Sequence, residues 1–208
     1  VELAWMSPLS YVRAETEYPS IDPVATVVYQ GTQAYSGYLV VRRDDAIDTI
    51  AQARGKRIAF VDPASASGYL YPKLWFERKG IDPKTFFSDV TFSGTHDHAL
   101  QLLLDGKIDV AAIYSDALTH ANAVGLGGSV RILAHTGRIP YDCVVLRAGL
   151  SEVVRHRITK ALLHLSIHTP AGRKVLVKFQ LASGLMPIPP GHYDDVRQAA
   201  LSEGVIKP

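Results

Sequence analysis

Ser65, Ser67 and Gly68 lie between an apolar run, Arg57-Ile58-Ala59-Phe60-Val61, and the start of a helical pattern. A helix start leaves several backbone N–H groups without partners, and with the positive end of the helix dipole they form a site for an anion. Ser65 and Ser67 add hydroxyl donors, and Gly68 lets the backbone come close to a ligand. The segment can therefore cradle a tetrahedral oxyanion. The same residues also suit an ordinary Ser-capped helix.

Three further segments carry polar chemistry at the end of an apolar run. In Thr91-Phe92-Ser93-Gly94-Thr95-His96-Asp97-His98, His96 stands at the mouth, where parallel strands present ligands, and can donate to an oxyanion. The His96/His98 pair invites a metal reading, but no Cys/His cluster accompanies it, and we assign no metal. Tyr114-Ser115-Asp116 offers an acid at a helix start, where Asp also serves as a cap. Pro140-Tyr141-Asp142 offers a second carboxylate. A carboxylate beside an anion site is useful only when the ligand carries P–OH protons or an ammonium. Tyr35 can close such a pocket with its ring and hydroxyl. Ser67, His96 and Asp97 have the residue types of a hydrolytic triad, but no Gly-x-Ser-x-Gly elbow, P-loop lysine or Gly-x-Gly-x-x-Gly fingerprint occurs.

These residues need a scaffold, and the chain supplies an α/β one. Expected strands are 1–6, 25–30, 37–42, 57–61, 88–92, 108–113, 130–135 and 143–147. Expected helices are 8–15, 46–53, 68–79, 96–105, 115–122, 151–166, 170–179 and 192–202. Strands alternating with helices predict largely parallel sheets. Ile108-Asp109-Val110-Ala111-Ala112-Ile113 resembles Val1-Glu2-Leu3-Ala4-Trp5-Met6 in pattern, and each precedes a polar turn and a helix, which suggests two similar lobes. The expected division is 1–37 for the first part of lobe one, 38–145 for lobe two and 146–208 for the rest of lobe one. By analogy with the second copy, a strand and helix of roughly 30 residues is expected to precede Val1.

Composition sets outer bounds. With 208 residues, 47% apolar and 20% charged, the chain can build a sizeable core. A net charge of +2 without a Lys/Arg cluster gives no argument for nucleic acid. A single cysteine, Cys143, excludes an intrachain disulfide. No apolar run reaches the ~18 residues that a membrane span requires.

In order along the chain stand Asp62-Pro63, Ser65-Ala66-Ser67-Gly68, Gly80-Ile81-Asp82-Pro83, Phe86-Phe87 and Phe92-Ser93-Gly94-Thr95-His96-Asp97. This series resembles the phosphonate-binding periplasmic proteins of ABC transporters, a group that includes phosphite binders, and the resemblance runs over essentially the whole chain. It implies a type II periplasmic binding protein fold with two lobes, mainly parallel sheets and two crossover strands at a hinge. It implies an oxyanion loop at Ser65, Ala66 and Ser67, with Ala66 lacking the hydroxyl of a Thr common there. It further implies a binding His96, an aromatic lid Tyr35 and an acidic pair, Asp116 and Asp142. The expected ligand is a phosphonate, phosphite or similar phosphorus oxyanion, bound without a cofactor by a monomer and handed to the membrane permease of an ABC importer, with no catalysis. The expected location is the periplasm or another extracytoplasmic space. Rival readings are the sensing domain of a signalling receptor, a hydrolase using His96 and Ser67, and a binder of sulfonate or nitrate.

Overall fold

The computed structural model describes residues 1–125, 127–179 and 183–207. In chain order the elements are β1 (Leu3–Met6), α1 (Pro8–Glu17), β2 (Asp22–Val28), β3 (Ala34–Arg42), β4 (Arg57–Phe60), α2 (Tyr71–Glu77), α3 (Pro83–Phe86) and β5 (Asp89–Phe92). Then follow α4 (His96–Leu104), β6 (Val110–Tyr114), α5 (Ser115–Ala123), β7 (Val130–Pro140), β8 (Cys143–Leu146), α6 (Glu152–Leu163), α7 (Pro170–Leu176), β9 (Gly184–Met186) and α8 (Asp194–Ser202). They form two compact units, Val1–Ala34 with Pro140–Pro208, and Tyr35–Ile139. Both passages from one unit to the other fall earlier in the chain than the expected boundaries after 37 and 145.

The unit of residues 35–139 is built on a sheet of order β5-β4-β6-β3-β7. Alternation along each strand explains why both faces are covered. Leu39, Val41, Ile58, Phe60, Val110 and Ala112 face one core, with Phe76 of α2 and Phe86 of α3. Val40, Ala59, Ala111 and Ile113 face the other, with Ala99, Leu100 and Leu103 of α4 and Ala117 and Ala121 of α5. Strands buried on both sides read as unbroken apolar runs, which is how β4 and β6 appear in the sequence.

The other unit carries a sheet of order β1-β8-β2-β9. Val24, Ala25, Val27, Val144, Leu146, Leu176 and Leu185 make its main core. The C-terminal α8 buries Val196, Ala199 and Ala200, and Tyr193 just before it meets Tyr11 of α1 edge-on with ring centroids 5.0 Å apart.

Where mainly parallel sheets were expected, the five-stranded sheet is mixed and the four-stranded sheet pairs its neighbours antiparallel throughout. β4 runs parallel to β5 and β6, but β3 is antiparallel to β6, and β8 is antiparallel to both β1 and β2. The cause is connectivity. β8 follows β7 after two residues and enters between β1 and β2, opposite to both. The helix expected over 46–53 is a single 3₁₀ turn, Ile50–Ala53. Arg131 Nη2 donates to the carbonyls of Asp45 and Ile47, both at 3.0 Å, and so takes the acceptors a longer helix needs. β9 was not expected, since its three residues carry no readable alternation. β7 extends to Pro140, beyond the expected 135, through Thr136 and Gly137.

Candidate functional site

Parallel strands place their carboxyl ends on one edge of a sheet, and the turns there face ligands. In the unit of residues 35–139 that edge gathers the ends of β4, β5 and β6. β3 runs the other way and pairs Gly37 with Tyr114, which brings its amino end, and so Tyr35, to the same edge.

After β4 the chain turns through Asp62-Pro63-Ala64. Ala64 N–H donates to Asp62 Oδ1 at 2.8 Å, and Ser65 N–H to the Asp62 carbonyl at 2.9 Å. Ser65 is the N-cap, its Oγ accepting from Gly68 N–H at 3.0 Å. A single π-helical turn, Ala66–Leu70, then runs directly into α2. Such turns are uncommon and concentrate at functional sites. Leu70 and Tyr69 both donate to the Ser65 carbonyl, at 3.0 and 3.1 Å. The amides of Ala66 and Ser67 donate to no acceptor among the described residues, as the first positions of a helix require. Gly68 fits because a Cβ there would stand 2.4 Å from Val61 Cβ and 2.8 Å from Ser65 Oγ.

The turn after β5 is built in parallel. Ser93, 8% exposed, donates through Oγ to the carbonyls of Phe60 (3.1 Å) and Thr95 (3.0 Å) and so ties the β5 turn to the end of β4. Thr95 caps α4 by accepting from His98 N–H at 3.1 Å. His96 opens the helix, and its Nε2 lies 3.4 Å from the Oγ of Ser67, itself 3% exposed. The imidazole packs on Tyr114 with centroids 4.5 Å apart, and Tyr35 meets Tyr114 edge-on at 5.9 Å. His96 Nδ1 is buried and has no partner among the described residues. Burial pushes the His96 pKa down to about 4, only partly offset by Asp97. The ring is therefore neutral near pH 7, carrying one donor and one acceptor.

Ser65, Ala66, Ser67 and His96 thus meet on one edge, with Tyr35 joined through Tyr114. Asp116 lies in the first turn of α5, exposed, its Oδ1 accepting from Ser115 Oγ at 3.1 Å. Asp142 belongs to the other unit. Its Oδ2 accepts from Trp5 Nε1 at 2.7 Å. Burial raises the Asp142 pKa and the indole donation lowers it, burial being the larger effect. His98 turns away from His96, its Nδ1 2.7 Å from the Ser93 carbonyl.

Sequence reasoning did not single out Tyr114 or Ser93 for this edge, nor, in the other unit, Trp5 as the partner of Asp142. Tyr114 stands in a segment already singled out, but for the acid Asp116 and not for its ring. Ser93 stands in a segment already singled out, and its position before Gly94 was the available signal. Trp5 is separated from Asp142 by 137 positions, and no local pattern joins them.

The arrangement supplies neutral donors at two helix starts, with Ser67 Oγ 3.4 Å from a neutral imidazole. The family described as ABC transporter, phosphonate, periplasmic substrate-binding protein matches residues 1–193. The phosphate-import protein PhnD of Mycolicibacterium smegmatis is 30% identical over 118 residues, covering 52% of this chain and 37% of the relative. The phosphonates-binding periplasmic protein of Escherichia coli is 26% identical over 212 residues, covering 97% of this chain and 60% of the relative. The chain therefore spans only about half the length of these curated relatives. The structure of PhnD1 from Prochlorococcus marinus in complex with methylphosphonate superposes with a TM-score of 0.78 at 20% identity, covering 99% of this chain and 79% of that one. At that identity the likeness speaks for the fold, which is that of the type II periplasmic binding proteins. With the family match running over nearly all of its residues, the chain belongs to the periplasmic substrate-binding proteins of phosphonate ABC transporters.

Proposed function

We propose that this chain binds a small phosphorus oxyanion, a phosphonate or phosphite, as a monomer outside the cytoplasm and delivers it to the membrane permease of an ABC importer, catalysing no reaction. The observation that carries this reading is the meeting of Ser67 Oγ with His96 at 3.4 Å, beside two helix starts whose first amides are unclaimed among the described residues. Ser65, Ala66 and Ser67 form the oxyanion loop, His96 adds a ring N–H, and Tyr35 with Tyr114 forms an aromatic wall. Asp116 and Asp142 are the carboxylates assigned to protons on the ligand, P–OH or ammonium.

Charge-assisted hydrogen bonds contribute about 1.5–3 kcal/mol each, and micromolar affinity needs about −8 kcal/mol. Four or five such bonds give about 6–15 kcal/mol gross, part of which is offset by association and desolvation. Isothermal titration against methylphosphonate, phosphite, phosphate and methanesulfonate tests the proposal. Micromolar or tighter binding of at least one phosphorus oxyanion is expected, with methanesulfonate weaker because it brings no proton for a carboxylate. Silence across the panel overturns the reading, and tighter binding of the sulfonate redirects it to another oxyanion.

A further inference from the structure

We propose that Trp5 is a positioning residue for ligand recognition: its indole N–H holds the Asp142 carboxylate in one orientation and in its ionised form, leaving Oδ1 as the acceptor for a ligand proton. This inference rests on the assignment of Asp142 to ligand recognition.

The geometry is set by the β1/β8 ladder. Trp5 pairs with Val144 in antiparallel register. Asp142 lies two residues before Val144, so it shares a face with Trp5 at the diagonal position, a separation that aromatic side chains bridge. Trp5 Nε1 donates to Asp142 Oδ2 at 2.7 Å, a short distance typical of a charged acceptor. Oδ1 accepts from nothing among the described residues.

The backbone at this point is pinned from several sides. Val27 N–H donates to the Asp142 carbonyl at 2.9 Å, and Thr26 Oγ1 to the same oxygen at 3.3 Å. Tyr193 Oη donates to the Tyr141 carbonyl at 2.9 Å, and Tyr141 N–H to the Gln33 carbonyl at 3.0 Å. A carboxylate on so fixed a backbone has its remaining freedom in its own torsions, and the indole removes it.

The titratable neighbours do not compete for this role. Burial pushes the Cys143 thiol up to about 12 and raises the Tyr193 hydroxyl, so both stay protonated near neutral pH. Burial lowers His192, which reaches Thr26 Oγ1 at 3.5 Å and is neutral there as well. Glu15 is matched by Arg197 of α8. The indole is the group whose donation favours the Asp142 charge.

The test is a carbon-13 carboxyl titration of Asp142 by NMR in the ligand-free chain, for wild type and Trp5→Phe, with the signal assigned by Asp142→Asn. Removing a donor to the charged form raises the Asp142 midpoint, here by about 0.5–1 pH unit. Methylphosphonate affinity at pH 7 is expected to fall about five- to tenfold in Trp5→Phe. The double variant is expected to bind no more weakly than Asp142→Asn alone. An unchanged midpoint overturns the proposal. A shifted midpoint with unchanged affinity in both single variants overturns the recognition role and with it the assignment of Asp142, although the pairing stands. If the wild type binds no oxyanion while the midpoint shifts, the functional reading has failed and not the pairing. Should Trp5→Phe not fold, the Trp5 indole proton shift in Asp142→Asn decides: movement to higher field supports the bond, and no movement overturns it.

Discussion

Gly68→Ala is the sharpest test of how the proposed oxyanion loop is held. The backbone at this position is helical, and alanine is a better helix former than glycine by about 0.8–1 kcal/mol. Propensity alone therefore predicts a gain. Space predicts the reverse, because the new Cβ would stand 2.4 Å from Val61 Cβ, 2.6 Å from Val61 Cγ2 and 2.8 Å from Ser65 Oγ. The first contact is between two atoms fixed directly to the backbone, so no rotamer change relieves it. Overpacking costs about 1–3 kcal/mol, and the rigidity of this contact places the substitution toward the upper end. The strain also acts on the tie between Val61 N–H and the Gly68 carbonyl, 3.0 Å apart, and so on the amides of Ala66 and Ser67. Urea denaturation and titration of methylphosphonate read the two consequences: lower stability by about 2 kcal/mol and affinity down at least about tenfold. A double-mutant cycle sharpens the logic. Val61→Ala keeps its Cβ and should leave most of the cost of Gly68→Ala in place, whereas Val61→Gly removes the contact and should abolish most of it. A Gly68→Ala chain as stable and as tight-binding as wild type refutes the reasoning. So does equal rescue by both partners.

Ser67→Ala removes the hydroxyl nearest His96 and is expected to weaken methylphosphonate binding about tenfold by isothermal titration, with the melting temperature little changed. His96 is held neutral in the fold, with a pKa of about 4 against an ordinary 6.5. The unfolded chain thus binds the extra proton between these values, and stability falls as pH drops from 6.5 to 4. The loss amounts to about 3 kcal/mol. Urea titrations of His96→Gln at pH 7 and 4 should show a flatter pH dependence than wild type by that amount. Arg57 binds Asp109 through Nη2 at 2.9 Å and Nε at 3.0 Å and holds its carboxyl below the usual range. Asp109→Asn is expected to lose about 1–2 kcal/mol at pH 7, less as pH falls through the Asp109 pKa, read by the same denaturation. Affinity for methylphosphonate is expected to change by less than about threefold between ~50 and ~500 mM NaCl, because short hydrogen bonds in a half-buried site are little screened.

The parts of the site that the sequence reveals are those written locally. A strand, a turn of Gly, Ser, Thr or Pro and a helix start recur after β4 and β5, β6 runs directly into α5, and each announces itself within about ten residues. That was enough to single out Ser65, Ser67 and His96 as candidates. What it could not show is which bonds their atoms make. Ser65 Oγ accepts from Gly68 as a cap, while Ser67 Oγ turns to His96, a distinction made by the π-helical turn and the wall of Val61. Non-local pairings were out of reach. Trp5 with Asp142 and Arg131 with the carbonyls of Asp45 and Ile47 each depend on chain segments brought together only by the sheets. Strand direction fell in the same class. The apolar runs that mark β3 and β8 say that they are buried, and burial is the same for either direction.

The choice of neutral donors has a chemical consequence. A lysine or arginine at the helix starts would attract any anion, and its long-range pull would discriminate little between one oxyanion and another. Amides, a serine hydroxyl and a neutral imidazole act only at hydrogen-bond distance and only along fixed directions. They reward a tetrahedral arrangement of oxygens and give little to an ion of another shape. The acidic groups act in the same sense. Burial raises the Tyr114 hydroxyl pKa most, and Asp116 and then Asp97 raise it further, so their negative potential reaches the aromatic ring beside His96. A ligand bearing its full negative charge meets that potential unfavourably, while one that retains a proton can offer it to a carboxylate. On the proposed reading, selectivity comes from where protons are on both partners, and burial of His96 sets the protein's side of that match by keeping the imidazole neutral.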